Sequence, residues 1–211
     1  MNAARHSQSL ELAAVALAKA DPRMARLVAA HGPCTLIPRW RQTPYESLVR
    51  AVMFQQIHGK AAEAIHGRFV ALFPDSRFPT PEDVLSVDEV ALRGVGLSRQ
   101  KASYIQAIAA GARDGMVPVR RSEVSRLDDE TIIERFTTIR GVGRWTVEML
   151  LIFTLGRLDV LPVDDYGVRS GFDRIARRRE PVKPKELALI GQRWAPYRSV
   201  AAWYLWRAAE A

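Results

Sequence analysis

The sequence reads Ile139-Arg140-Gly141-Val142-Gly143-Arg144-Trp145-Thr146-Val147-Glu148-Met149, and after a further helical run it continues Leu161-Pro162-Val163-Asp164-Asp165-Tyr166. An apolar-faced helix from Leu127 leads into the Gly-Val-Gly turn, and a second helix from Arg144 to Leu155 leaves it. Two glycines around a valine allow positive φ and expose consecutive N–H groups at a helix start, which suits a phosphate. The adjacent carboxylates of Asp164 and Asp165 would repel that phosphate, so their presence points to chemistry beyond anion binding.

Around this stretch the chain is short helices. Leu10 to Ala30 carries leucines at helical spacing and breaks at Asp21-Pro22, a helix, an Asp cap and a second short helix. Cys34 to Arg41 reads as a loop. Leu48, Val52 and Ile57 form an apolar helical face through about Gln55, and another helix is expected from Gly59 to Leu72. Thr80-Pro81-Glu82-Asp83 is a helix start, with proline at the first position and acids in the first turn. No alternating strand is convincing, and Leu158 to Val163 is too short to found a sheet. The fold class expected is all-α.

An internal repeat lies 47 residues upstream of the Gly-Val-Gly turn: Leu92-Arg93-Gly94-Val95-Gly96 parallels Ile139-Arg140-Gly141-Val142-Gly143. Each copy falls between helices. Two copies in a basic helical chain are read as helix-hairpin-helix units, which grip duplex phosphates without reading sequence. For the first copy, a hairpin needed only for packing is the preferred reading.

The 211 residues are 48% hydrophobic, enough for a packed core, and 31 basic against 23 acidic residues give a net charge of +8. Such a charge fits a polyanionic partner. A single cysteine, Cys34, excludes an intramolecular disulfide and a four-cysteine zinc or iron-sulfur site. The N-terminus lacks the apolar core of a signal peptide, and no run approaches the ~18 apolar residues of a membrane span. A cytoplasmic protein with no membrane association is expected, nucleoid-associated if bacterial.

Four clusters could carry chemistry. Trp145 and Met149 share one side of a helix. The segment from Trp194 to Trp206 holds three of the chain's five tryptophans, with Tyr197 and Tyr204 beside them; they are core or a pocket wall, where an extruded cationic base would gain a cation-π term of roughly 0.5–2 kcal/mol. Asp164-Asp165 precedes a helix start, and an N-cap explains one of the two carboxylates but not both. Phe54-Gln55-Gln56-Ile57-His58-Gly59-Lys60 offers amides, an imidazole and a lysine that could fill a duplex gap, or else a solvated helix end. The other histidines show no metal-ligand spacing with His58.

Taken in order, Phe54 to Ala62, Ile139 to Met149, Pro162 to Asp165 and Ala201-Ala202-Trp203-Tyr204-Leu205-Trp206 closely resemble the alkylpurine DNA glycosylases, the DNA-3-methyladenine glycosylase II (AlkA-type) branch of the helix-hairpin-helix glycosylase superfamily. The resemblance covers about residues 15 to 208. It implies an all-helical, two-lobed fold with a cleft between lobes, one lobe at about 44–160 and the other from 8–43 and 161–211, without the N-terminal β-rich domain of longer bacterial relatives. It further implies base flipping and hydrolysis of the N-glycosidic bond of alkylated purines, of the 3-methyladenine and 7-methylguanine type, in base excision repair. The partner is double-stranded DNA and the protein is expected to be a monomer.

Site by site, the resemblance selects Asp165 as the catalytic carboxylate, whereas the wider superfamily's Pro-Val-Asp spacing selects Asp164; Asp165 is preferred. Trp145 stands where lyase-competent members carry a lysine, which implies a monofunctional enzyme. Trp145, Met149 and Trp206 match the base pocket, with methionine at 149 where the best-known bacterial branch has tyrosine. Gln55, Gln56 and His58 match the gap-filling loop, and Gly141, Gly143 and Arg144 the phosphate-binding hairpin. Thr137, Ile139 and Val142 match carbonyls that hold a monovalent cation, Na+ or K+; no cofactor is required for chemistry. A non-catalytic helix-hairpin-helix module and a glycosylase for other damaged bases are the alternative readings.

Overall fold

The computed structural model describes residues 3–57 and 59–210. Among them are twelve α-helices and no β-strand, as the periodicity predicts. In chain order these are α1 (Ala3–Ala20), α2 (Pro22–His31), α3 (Pro44–Phe54), α4 (Gly59–Ala71), α5 (Pro81–Ser86), α6 (Glu89–Gly94), α7 (Arg99–Arg113), α8 (Asp129–Thr137), α9 (Arg144–Leu150), α10 (Tyr166–Ala176), α11 (Pro184–Gly191) and α12 (Arg198–Glu210). A π-helical turn, Leu151–Leu155, follows α9. The chain divides into two compact units, one of residues 40–150 and one of residues 1–39 with 151–211.

Helix starts follow local chemistry. Asp21 caps α2 by accepting from Arg23 N at 2.9 Å, with Pro22 at the first position. Thr80 and Asp83 form a reciprocal capping box at α5, at 3.1 and 2.8 Å. At α6, α7 and α8 the Asp88, Ser98 and Asp128 side chains each accept from the backbone N–H three residues on, without a reciprocal bond.

In the 40–150 unit, α3 is the central element: Leu48, Val49, Val52 and Met53 are fully buried, and α3 packs against α7 and α9. Ile105 and Ile108 of α7, Ile132 and Phe136 of α8 and Val147 of α9 complete the core. The Lys101 ammonium of α7 donates to the carbonyls of Met53 and Gln55 at 2.8 and 2.7 Å. It thus satisfies groups left orphaned where α3 ends, and burial lowers its pKa.

In the other unit, α10 packs along α12. Two glycines one turn apart on α10 permit this. A Cβ at Gly171 would overlap the Leu205 carbonyl of α12, and one at Gly167 would come within 2.8 Å of Trp206 Cδ1. Of the C-terminal aromatics, Trp194 and Tyr204 are core. Trp194 donates to the buried Asp21 at 3.3 Å, and the Tyr204 hydroxyl donates to the Gly32 carbonyl at 2.9 Å. We expect Gly171→Ala to cost about 2 kcal/mol or more, because the clash is with backbone and no rotamer relieves it; a thermal midpoint equal to wild type would contradict this packing.

Candidate active site and DNA-binding hairpin

Asp165 is the N-cap of α10. Its Oδ1 accepts from Val168 N and from Trp206 Nε1, both at 2.8 Å. The cap fixes the carboxylate at the positive end of the helix, where a negative charge is favoured. The indole N–H fixes its orientation from α12. Asp164, one residue earlier, is exposed. The sequence leaves the choice between these carboxylates open; the structure joins Asp165 alone to an aromatic of the C-terminal cluster.

Trp206 is itself held. Its ring stacks on Phe153 at 5.5 Å and 25°, and the Arg39 guanidinium lies 5.8 Å from the centre of the Phe153 ring. Trp206, Phe153 and Arg39 line a cavity of about 360 Å³ together with Ile37 and Trp203. Ile37 is 70% exposed. Phe153, Gly167 and Gly171 are absent from the sequence-based site. The only signal for the glycines was their spacing of four, which places both on one helix face, and nothing local marked Phe153.

In the 40–150 unit, residues 138–143 connect α8 to α9. Ile139 N donates to Phe136 O at 3.1 Å and Val142 N to Ile139 O at 3.0 Å, closing a tight turn with Gly141 at φ +88. Side chains of Ile139 and Val142 are buried, at 6% and 4% exposure. The Tyr104 ring of α7 covers Gly141 so closely that any Cβ there would overlap it. Gly143 has open space and precedes the first turn of α9, whose N–H groups have no helical partners.

The Arg144 side chain is committed within the protein. It pairs with Glu130 of α8, with one contact at 3.0 Å, and with the buried Glu148 at 3.2 Å. The hydrogen bond to Glu130 raises the Arg144 pKa and lowers that of Glu130. Its visible task is to brace the helices flanking the turn. Trp145 and Met149 are both half-buried on α9.

The first Gly-Val-Gly copy is a different structure from the second. There α6 runs on to Gly94, and the left-handed residue is Gly96, at φ +103, not the first glycine. The Val95 carbonyl accepts from Arg68 Nε at 2.8 Å, and Gly96 backs onto Arg68 and Ile65. The Ser98 hydroxyl caps α7. With the Val95 carbonyl and the Lys101 N–H engaged internally, this copy serves packing.

Gln55 and Gln56 join α3 to α4. Gln55 donates to Thr146 Oγ1 at 3.1 Å, and Gln56 is held in the left-handed region at φ 56, rare for a residue with a side chain. His58 lies outside the described residues.

A helical unit carrying a Gly-Val-Gly turn between two helices, and another presenting an N-capping aspartate tied to a tryptophan, are the parts of a helix-hairpin-helix base-excision protein. The chain belongs to the HhH-GPD superfamily of base excision DNA repair proteins, whose pattern matches residues 49–196. It is 40% identical over 190 residues to DNA-3-methyladenine glycosylase 1 of Schizosaccharomyces pombe, covering 89% of this chain and 81% of that protein. The solved structure of the S. pombe 3-methyladenine DNA glycosylase Mag1 in complex with abasic DNA is similar with a TM-score of 0.87 at 39% identity, over 94% of this chain and 97% of that one. A DNA-3-methyladenine glycosidase from Bacillus halodurans is similar with a TM-score of 0.77 at 36% identity, over 92% and 87% of the two chains. Among the described residues no helix is long and apolar enough to cross a membrane.

Proposed function

We propose that the protein is a monofunctional DNA-3-methyladenine glycosylase that hydrolyses the N-glycosidic bond of alkylated purines in duplex DNA and leaves an abasic site for base excision repair. The observation that carries this reading is the Asp165 carboxylate, fixed at the start of α10 by Val168 N and Trp206 Nε1.

A purine methylated at N3 or N7 is already cationic and departs as a neutral base when its bond to C1′ breaks, so no general acid is needed. Positive charge then develops at C1′. A carboxylate held in place beforehand stabilises that charge without reorganising. Water adds at C1′ and releases its proton, and Asp165 is suited to orient that water and accept the proton. Trp206, edge-anchored through its N–H, presents a ring face to an extruded base; Trp145 and Met149 retain the base-contact role their matched positions imply.

The second hairpin supplies the phosphate grip through Gly141, Gly143 and the backbone of Arg144, while Gln55, Gln56 and His58 take the gap-filling role. Thr137, Ile139 and Val142 would hold a monovalent cation by their carbonyls. The donors fit: they are hard oxygens at the end of α8 and in the turn that follows it, and Ile139 O keeps a second lone pair beside its bond from Val142 N. Such a cation would help neutralise a DNA phosphate. The chemistry above requires no cofactor.

Incubation with duplex DNA treated with a methylating agent should release 3-methyladenine and 7-methylguanine without strand scission until the abasic product is cleaved by alkali or heat. Retained DNA affinity with no base release would instead make the chain a binding module. A lysine at Trp145 should confer no strand cleavage, because a Schiff-base nucleophile needs a lowered pKa that one exchange does not create; a borohydride-trapped covalent adduct with W145K would refute this.

A further inference from the structure

The geometry points to a second anion site at the opposite end of α10 from Asp165, one that binds clustered phosphates. A cavity of about 570 Å³ lies between α2 and the end of α10, lined by Arg23, Arg26, Arg174 and Arg177 with apolar Leu27 and Ile175. Four guanidinium groups around one concavity repel one another unless carboxylates or a ligand compensate them. Arg23 lies 3.7 Å from the buried Asp21. Arg26, Arg174 and Arg177 have no carboxylate within ion-pair distance among the described residues.

Neither do these side chains serve to cap helix ends, the usual reason for arginine there. Arg177 adopts the left-handed conformation, φ 51 and ψ 43, so its backbone N–H caps the Asp173 and Arg174 carbonyls. Arg178 N adds a bond to Asp173 O at 2.9 Å, and on α2 Gly32 N caps Val28 O at 3.0 Å. Asp173, adjacent to Arg174 in the chain, is occupied: it accepts from Val182 N at 2.9 Å and lies 3.6 Å from Arg178, which also holds Glu186 at 2.8 Å.

Planar guanidinium forks match phosphate oxygens bidentately, and three uncompensated ones suit a ligand with two or more neighbouring phosphate charges. Such charges occur in a free pyrophosphate group or in successive phosphates of a nucleic-acid backbone. α10 has 11 residues, so the cavity lies about 16 Å along the helix from Asp165, and a nucleotide held at Asp165 does not fill it. The inference is independent of the role given to Asp165.

The test titrates the full chain calorimetrically with pyrophosphate and, separately, with undamaged duplex oligonucleotide across a salt series. The variants are R26E/R174E and R26Q/R174Q. K19E/K185E, at exposed positions outside the cavity, matches the charge change of the first. Pyrophosphate should bind wild type and the control, and bind both cavity variants about tenfold or more weakly, with unchanged thermal midpoints. If backbone phosphates are the ligand, the cavity variants also lower the salt slope of duplex binding by about 2 relative to the control; an unchanged slope with pyrophosphate binding lost assigns the site to a free phosphate ligand. No pyrophosphate binding by wild type, equal loss in K19E/K185E, or tighter binding of a polyglutamate peptide than of pyrophosphate would each overturn the proposal.

Discussion

Asp165→Asn is expected to reduce base release from alkylated duplex DNA by at least ~10²–10³-fold, equivalent to about 3–4 kcal/mol of lost transition-state stabilisation, while leaving DNA affinity and thermal stability close to wild type. The exchange isolates charge from structure. Asparagine is about as good an N-cap as aspartate, and its carbonyl oxygen can still accept from Val168 N and Trp206 Nε1. α10 therefore stays capped and Trp206 stays in place; only the negative charge facing the developing cation is removed. Asp164→Asn, at an exposed position without those partners, should leave single-turnover rates unchanged. Single-turnover kinetics on a methylated duplex separates the two variants. A large loss in the Asp164 variant with little in the Asp165 variant would transfer the catalytic role to Asp164 and remove the observation on which the proposed function stands.

Gly141→Ala should be the most damaging change in the hairpin. Two penalties add. An alanine at φ +88 sits in a region that L residues avoid at a cost of roughly 1–2 kcal/mol, and its Cβ would overlap the Tyr104 ring, which adds about 1–3 kcal/mol of overpacking. The turn is closed by Val142 N to Ile139 O and packed through buried Ile139 and Val142, so distortion there propagates to the first turn of α9. We expect a loss of about 3 kcal/mol in stability by chemical denaturation and weaker duplex binding. Gly143→Ala, with no positive φ and no atom within 4 Å of a Cβ, should cost well under 1 kcal/mol in stability. Combining Gly141→Ala with Tyr104→Ala should recover less than it loses, since the cavity left by the ring offsets the relieved clash. Equal destabilisation by the two single glycine variants would show that neither the left-handed turn nor Tyr104 matters.

These contrasts mark where sequence reading reaches its limit. The pentapeptide repeat is nearly identical at 92–96 and 139–143, yet the left-handed glycine is the second in one copy and the first in the other. What differs is outside the repeat. Arg68 and Ile65 crowd the first turn and take its carbonyl, whereas Tyr104 lies on the second. Arg144 was legible as a cation at a phosphate-binding turn, but Glu130, fourteen residues earlier, and Glu148 claim its side chain.

Local chemistry in the chain by itself determined the all-helical class, the caps at Asp21 and Thr80, and the Gly-Val-Gly turn, because each depends on residues within about one helical turn of one another. Tertiary structure alone decided which aspartate meets Trp206, which glycine of each repeat is left-handed, and why α10 needs Gly167 and Gly171. Those outcomes depend on the close approach of α10 to α12 and of α7 to the α8–α9 turn. Such contacts join residues tens of positions apart, and no periodicity or motif in a single segment records them.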